Sequence, residues 1–176
     1  DINESGFNNG YDNPFVTSLT CGTGSFHCYG NQGGPYDSDS ENFIRGGTIG
    51  TPNGAVAAVG VSTLGTHTAY NNIIDMGIYD GIFSKKLDYA SQALTNGHLT
   101  INQTYPSNPG DCAETFISWT NLMGDPALHL WSGVPTNFGD AVDHPSVIAL
   151  GTTMMDIVVY DEFGDPVEGA RVTLLM

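Results

Sequence analysis

A chain of 176 residues holds one full domain, or one domain and part of another, and a hydrophobic content of 40% is enough for a packed core. The net charge of -15 arises because Arg45, Lys85, Lys86 and Arg171 are the only four bases against 19 acids, which excludes binding to nucleic acid through phosphate neutralisation. No apolar run approaches the roughly 20 residues that cross a bilayer, and so acidic a surface fits a secreted protein, a calcium binder or one that steers basic substrates.

Pro14 closes an opening rich in Asn, Gly and acids, which begins at Asp1 without a signal-like segment and is expected to be a processed or excised piece. Residues 15–21, FVTSLTC, read as a buried strand bounded by turn residues. Ser40 and Glu41 open a helix carrying Phe43 and Ile44, which Gly46-Gly47 ends early. GAVAAVGVS, residues 54–62, is a second continuous apolar run of strand length. Runs without alternation fit a parallel sheet covered on both faces.

Residues 70–83 space Ile74, Ile78 and Ile82 four apart, and residues 87–99 continue with Leu87, Ala90 and Leu94; both read as amphipathic helices. Residues 111–123 read as a third, with Phe116, Trp119, Leu122 and Met123 on one side and Gly124-Asp125-Pro126 as its stop. ALHLW, residues 127–131, is expected to be a closing strand. Strands and helices in this order predict an α/β layered domain with a mostly parallel sheet and helices on both faces, and a site beyond the carboxyl ends of the strands.

Pro, Gly and Asp dominate residues 133–145, which read as a linker, so the first domain is drawn over residues 1–137 and a second segment over 138–176. The run MMDIVVYDEFGDPVEGARVTLLM alternates apolar and polar residues on either side of a Gly-Asp-Pro turn, the pattern of two β-sandwich strands. Its form, D-x-x-G-x-P-V-x-G-A-x-V-T-L, resembles the opening of the immunoglobulin-like or carboxypeptidase-regulatory-like modules that follow many secreted enzymes. A sandwich cut off at Met176 would leave an edge for another polypeptide to complete.

Cys21 at the end of the first strand is the candidate nucleophile. Gly22 follows it directly; lacking a Cβ, it tolerates a strained turn and lets a substrate carbonyl come close to the Cys21 and Gly22 amides as oxyanion donors. The alternative is a buried core thiol, common beside glycines.

Blocks spread along the chain bear on this choice: D-I-N at the start, N-P-F-V-T-S-L-T-C-G-T-G-S-F, S-E-N-F-I-R, G-A-V-A-A-V-G-V-S-T and N-L-M-G-D-P-A-L. Over residues 1–131 they resemble the C-terminal half of a gingipain-type cysteine peptidase domain, a family of caspase-like α/β fold, with Cys21 on its catalytic cysteine. The resemblance implies a His-Gly dipeptide upstream, its imidazole taking the thiol proton and its glycine amide sharing the oxyanion. No histidine lies in the twenty residues before Cys21. It is therefore expected on a separate or missing N-terminal half of the peptidase domain; otherwise the chain is a relative that has lost activity.

The resemblance also places Ser62, Thr63, Thr66, His67 and Tyr70 on the loop that walls the specificity pocket, where they are expected to bind substrate. Members of the family often prefer Arg or Lys before the cut bond, but this loop has no carboxylate, so the acid would come from outside the chain or the pocket would suit polar or smaller side chains. His27 is read as a loop residue behind the site, and His98, His129 and His144 as structural or solvated. Asp37, Asp39 and Glu41 put carboxylates two apart on a loop, as calcium-binding loops do, or else cap the following helix. Cys28 and Cys112 are a candidate disulfide, and Asn102-Gln103-Thr104 matches a glycosylation sequon.

Two functions are weighed. One is a secreted or cell-surface cysteine endopeptidase acting on protein or peptide substrates, with no cofactor needed for catalysis and calcium as a structural ion. The other is an inactive structural or adhesive subunit of an extracellular assembly that keeps the peptidase fold.

Overall fold

The two apolar runs pair with each other in a computed structural model that describes residues 7–26, 37–133 and 137–173. The first becomes β1 (Phe15–Ser18). After it come α1 (Asp39–Arg45) and a short antiparallel hairpin of β2 (Gly47–Thr48) and β3 (Thr51–Pro52), and the second run becomes β4 (Ala57–Val61). β4 lies parallel to β1, Phe15 opposite Ala57 and Ser18 opposite Gly60, so a crossover containing α1 joins them, as parallel strands require. Ala57, Ala58, Val59 and Val61 are fully buried, the price-free consequence of covering β4 on both faces.

α1 begins at Asp39, one residue earlier than Ser40 and Glu41 indicate. Ser38 is its N-cap: the Ser38 hydroxyl accepts the Glu41 N–H at 3.3 Å, and a Glu41 carboxylate oxygen accepts the Ser38 N–H at 2.8 Å. That reciprocal capping box satisfies two of the helix's orphan donors.

Three helices follow β4. In α2 (Thr68–Phe83) Ile74, Ile78 and Ile82 are buried as their spacing predicts. α3 (Ala90–Thr104) starts later than expected and runs on to Tyr105, where Pro106 disfavours continuation. The two helices approach so closely that a Cβ added to Gly97 would lie 2.7 Å from the Ile74 carbonyl oxygen. A 3-10 turn at Pro109–Asp111 leads into α4 (Cys112–Trp119).

The third expected helix is thus shorter, because residues 120–123 leave it to become β5 (Thr120–Met123). β5 pairs antiparallel with β4, Thr120 opposite Val61 and Met123 opposite Ala58. The sheet order is β1-β4-β5: one parallel and one antiparallel pair, so the sheet is mixed rather than mostly parallel. The helical spacing of Phe116, Trp119, Leu122 and Met123 misleads here, since the open edge of β4 offers backbone partners that a solvent-facing helical turn does not. Residues 127–131 are correspondingly not the closing strand. They make a single bridge, His129 with Tyr89, while Leu130 donates its N–H to Asp88 at 2.6 Å and buries its side chain in the core.

Side-chain alternation along β4 separates the two faces. Val59 joins the core cluster of Ile74, Ile78, Ala93, Ile101 and Phe116 from α2, α3 and α4. Gly60 points the other way, toward Ser40 of α1. Helices therefore cover both faces.

The chain divides into two compact units, Asp1–Ser132 and Gly133–Met176. In the second, β6 (Phe138–Asp143) lies within the expected linker and pairs antiparallel with β7 (Val158–Asp161), with an irregular register between Phe138 and Val142. The expected pairing across the Gly-Asp-Pro turn is reduced to one bridge, Tyr160 with Pro166, supported by the Val167 N–H donating to Val159 at 2.8 Å. A two-stranded sheet is what the described residues form here, not the two packed sheets of a sandwich.

Candidate functional site

The chain leaves β1 at Ser18 and turns, and Cys21 sits on that turn rather than on the strand itself. Gly22 takes φ +70, a left-handed conformation that costs a side chain roughly 1–2 kcal/mol. The turn is bonded to β4 and to the loop after it. Gly24 donates its N–H to Val61 at 2.9 Å, and the buried Thr23 hydroxyl accepts the Val61 N–H at 3.3 Å while lying against the carbonyls of Ser18 and Thr20. From α1, Ser40 donates its N–H to the Thr23 carbonyl at 2.8 Å, and from α2 the Asn71 side chain donates to the Leu19 carbonyl at 2.9 Å. Sequence reasoning passed over Thr23 and Asn71; the one available signal was a threonine set between two glycines.

Cys21 is exposed, and its Sγ lies 3.2 Å from the Thr66 hydroxyl oxygen. The Thr66 hydroxyl holds the thiol's pKa below its usual value by stabilising the anion; desolvation opposes it, and the amides of Thr66 and Cys21 add smaller contributions in the same direction as the hydroxyl. Cys21 is thus not the core thiol of the alternative reading. Cys112 is: a free thiol, buried at the start of α4. His27 and Cys28, and with Cys28 the expected disulfide, lie outside the described residues.

Gly22 requires a correction. Its N–H donates to the Thr63 carbonyl at 2.7 Å, so that amide serves the fold and is not free to receive an oxyanion; the Cys21 amide is the remaining donor of the expected pair.

The five expected substrate residues separate in the same way. Thr66 is brought to the sulfur, and Thr63 to the backbone beside it. The Ser62 hydroxyl donates to the Trp119 carbonyl at 3.2 Å. His67 caps α2, its Nδ1 accepting the Ala69 N–H at 3.2 Å. Tyr70 packs its ring against Tyr105 and Phe116 at centroid separations of 5.3 and 4.8 Å, and the charge of a Cys112 thiolate beside it pushes the Tyr70 hydroxyl's pKa up. These are structural engagements, invisible in a sequence that shows only a polar loop.

Among the described residues no histidine hydrogen-bonds the Cys21 sulfur. His129 lies edge-on to Tyr89 at 5.6 Å, and His98 is half-buried on α3. In the acidic loop Asp37 pairs with Arg45 and Glu41 is held by Ser38, and among the described residues no group of three or more His, Cys, Asp and Glu is placed to hold a metal ion. An apolar cleft of about 520 Å³, lined by Phe15, Val56, Phe83, Leu128 and Trp131 among others, opens at the start of β1 and the end of α2, away from Cys21.

Fold and site together define an α/β protein that presents an exposed thiol on a glycine turn beyond the carboxyl end of a sheet strand. The chain belongs to peptidase family C25, whose model matches residues 3–131. Its fold is shared with the crystal structure of the Arg specific cysteine proteinase gingipain R (RgpB), at a TM-score of 0.68 and 19% identity over 86% of this chain and 33% of that one. The complex of Porphyromonas gingivalis RgpB pro- and mature domains matches equally, at a TM-score of 0.68 and 19% identity over 86% of this chain and 34% of that one. This chain thus spans about a third of the length of the solved structures it matches. No curated protein matches the sequence. No described helix is long and apolar enough to cross a membrane.

Proposed function

We propose that this chain is the nucleophile-bearing part of an extracellular or cell-surface cysteine endopeptidase. The single observation that carries the reading is the exposed Cys21 sulfur, drawn below its usual pKa on a turn that four neighbouring segments hold in place. The Cys21 thiolate attacks a peptide carbonyl carbon, and the oxygen gathers charge near the Cys21 amide. An imidazole from residues outside this chain takes the thiol proton and returns it to the leaving amine. Water then hydrolyses the thioester and restores the thiol.

Gingipain R is described as Arg specific. Here residues 62–70 carry no carboxylate, so a preference for a basic side chain would need an acid from the rest of the peptidase domain. The substrate class is therefore a protein or peptide, with the residue before the cut bond set jointly by this loop and the rest of the peptidase domain.

The test uses the full-length gene product. A peptidyl acyloxymethyl ketone is expected to label Cys21 in preference to Cys28 and Cys112, and Cys21→Ala to reduce peptide cleavage by at least about a thousandfold. Equal or absent labelling of Cys21 would overturn the reading and leave the inactive structural subunit.

A further inference from the structure

The hydroxyl nearest the sulfur belongs to a residue whose neighbours are both tied down. Three residues before Thr66, the Thr63 carbonyl accepts the Gly22 N–H at 2.7 Å, which joins the loop to the nucleophile turn. Immediately after Thr66, His67 caps α2 by accepting the Ala69 N–H at 3.2 Å. Thr66 is thus fixed at the amino end of a 16-residue helix, where the summed peptide dipoles favour negative charge within the first turn. With Oγ1 at 3.2 Å from Sγ, the sulfur sits where a thiolate would receive both a hydroxyl hydrogen bond and that field.

The titratable groups on the elements around the turn do not oppose this. His67 and Tyr70 lie at the start of α2, the first held in its cap and the second beside Cys112; Asp39 and Glu41 lie on α1, with Glu41 bound to Ser38. Residues 15–26 and 62–70 contain no carboxylate, so neither the strand and turn that carry Cys21 nor the loop that carries Thr66 supplies a like charge of its own.

We propose that Thr66 is not a substrate contact but the group that holds the Cys21 sulfur as an anion, so that the nucleophile is prepared within this chain before any imidazole reaches it. The proposal rests on reading Cys21 as the nucleophile, but it makes a claim that the chain by itself can answer. The thiol proton leaves to solvent in the chain alone and to the imidazole where one is present; in both cases the Thr66 O–H donates to the resulting S⁻, and the protonated imidazole gives its proton to the leaving amine.

The experiment is alkylation of the chain by iodoacetamide from about pH 5 to about pH 10, followed at Cys21 by peptide mass spectrometry. Thr66→Val is expected to slow Cys21 alkylation about three- to tenfold near neutral pH and to move its profile to higher pH, with the high-pH plateau unchanged. Thr66→Ser, which keeps the hydroxyl, is expected to stay within about twofold of the parent chain. Thr66→Ala guards against misfolding of the valine variant, and a thermal melt of each confirms folding. A Thr66→Val or Thr66→Ala profile that overlays the parent, or a Thr66→Ser profile displaced as far as theirs, overturns the proposal. A Thr66-dependent profile in a protein that cleaves no peptide would sink the peptidase reading alone; cleavage with a Thr66-independent profile would sink this one alone.

Discussion

Gly24 and Gly60 meet backbone to backbone: a Cβ built on Gly24 would lie 2.7 Å from the Gly60 carbonyl carbon, and one built on Gly60 would lie 2.8 Å from the Gly24 nitrogen. The nucleophile turn is therefore pressed onto β4 with no room for a side chain between them. Gly60→Ala is expected to destabilise the protein by about 1–3 kcal/mol, the usual cost of overpacking. The added methyl meets the Ser40 hydroxyl of α1 as well as the Gly24 backbone, so the helix and the turn must shift apart from β4, and Cys21 alkylation near neutral pH should slow with the loss of its contact to Thr66. A circular-dichroism melt with the alkylation rate checks both; unchanged stability would mean that the turn is looser than its packing indicates.

Ser38→Ala removes half of the capping box that starts α1. The expected loss is about 1 kcal/mol. Since Ser40 on the same helix donates its N–H to Thr23, the site should feel the change less than the helix does: a lowered melting temperature with a Cys21 alkylation rate within about twofold of the parent.

Asn96 on α3 is buried and joins the end of α2. Its side-chain N–H donates to the Gly77 carbonyl at 2.6 Å, and its oxygen accepts from the Lys85 ammonium at 2.9 Å. Lys85 in turn pairs with Asp80 at 3.2 Å across exposed surface, which is worth little by itself. Asn96→Leu is expected to cost about 1–3 kcal/mol, because a buried polar partner loses its hydrogen bond. Lys85→Met should cost less than about 1 kcal/mol. Denaturant unfolding of both variants checks the ranking; equal losses would place the contribution in the ion pair instead.

Burial holds the His98 pKa below its ordinary value of 6.5, and its Nε2 has no hydrogen-bond partner. The unfolded chain therefore binds this proton more readily than the folded one. The stability contributed by a neutral His98 is present above pH 6.5 and is lost as pH falls through the lower folded value. Melting temperatures measured from about pH 7.5 down to about pH 5 should decline, and His98→Leu should flatten that decline. A parallel decline in the variant would assign it to other groups.

What could be read in advance was whatever depends on near neighbours in the chain. Ile74, Ile78 and Ile82 are four apart and make a helical stripe wherever they are buried, and α2 follows. The apolar run at 54–62 has nothing polar to offer solvent, so β4 is buried. Cys21 followed by Gly22 marked the turn, because φ +70 asks for glycine at that place.

Residues 120–123 were misread because helical spacing and strand composition coincide there, and only the open edge of β4 decides between them. The same holds for β6, whose Pro- and Gly-rich surroundings read as linker until β7 is placed beside it. The roles of the polar loop were open for a related reason. Ser62, Thr63, Thr66, His67 and Tyr70 have similar hydrogen-bonding capacity in the sequence, yet one bonds Trp119, one Gly22, one Cys21, one caps a helix and one packs in the core.

By itself, then, the sequence determined the periodic elements, the acidic surface and the cysteine on its glycine turn, all of which follow from local sterics and composition. Tertiary structure alone decided the mixed sheet, the engagement of the Gly22 amide and the partner of the Cys21 sulfur. Each of these is a hydrogen bond between segments roughly 40 or more residues apart, and such a bond depends on which competing donor or acceptor the folded chain brings within reach.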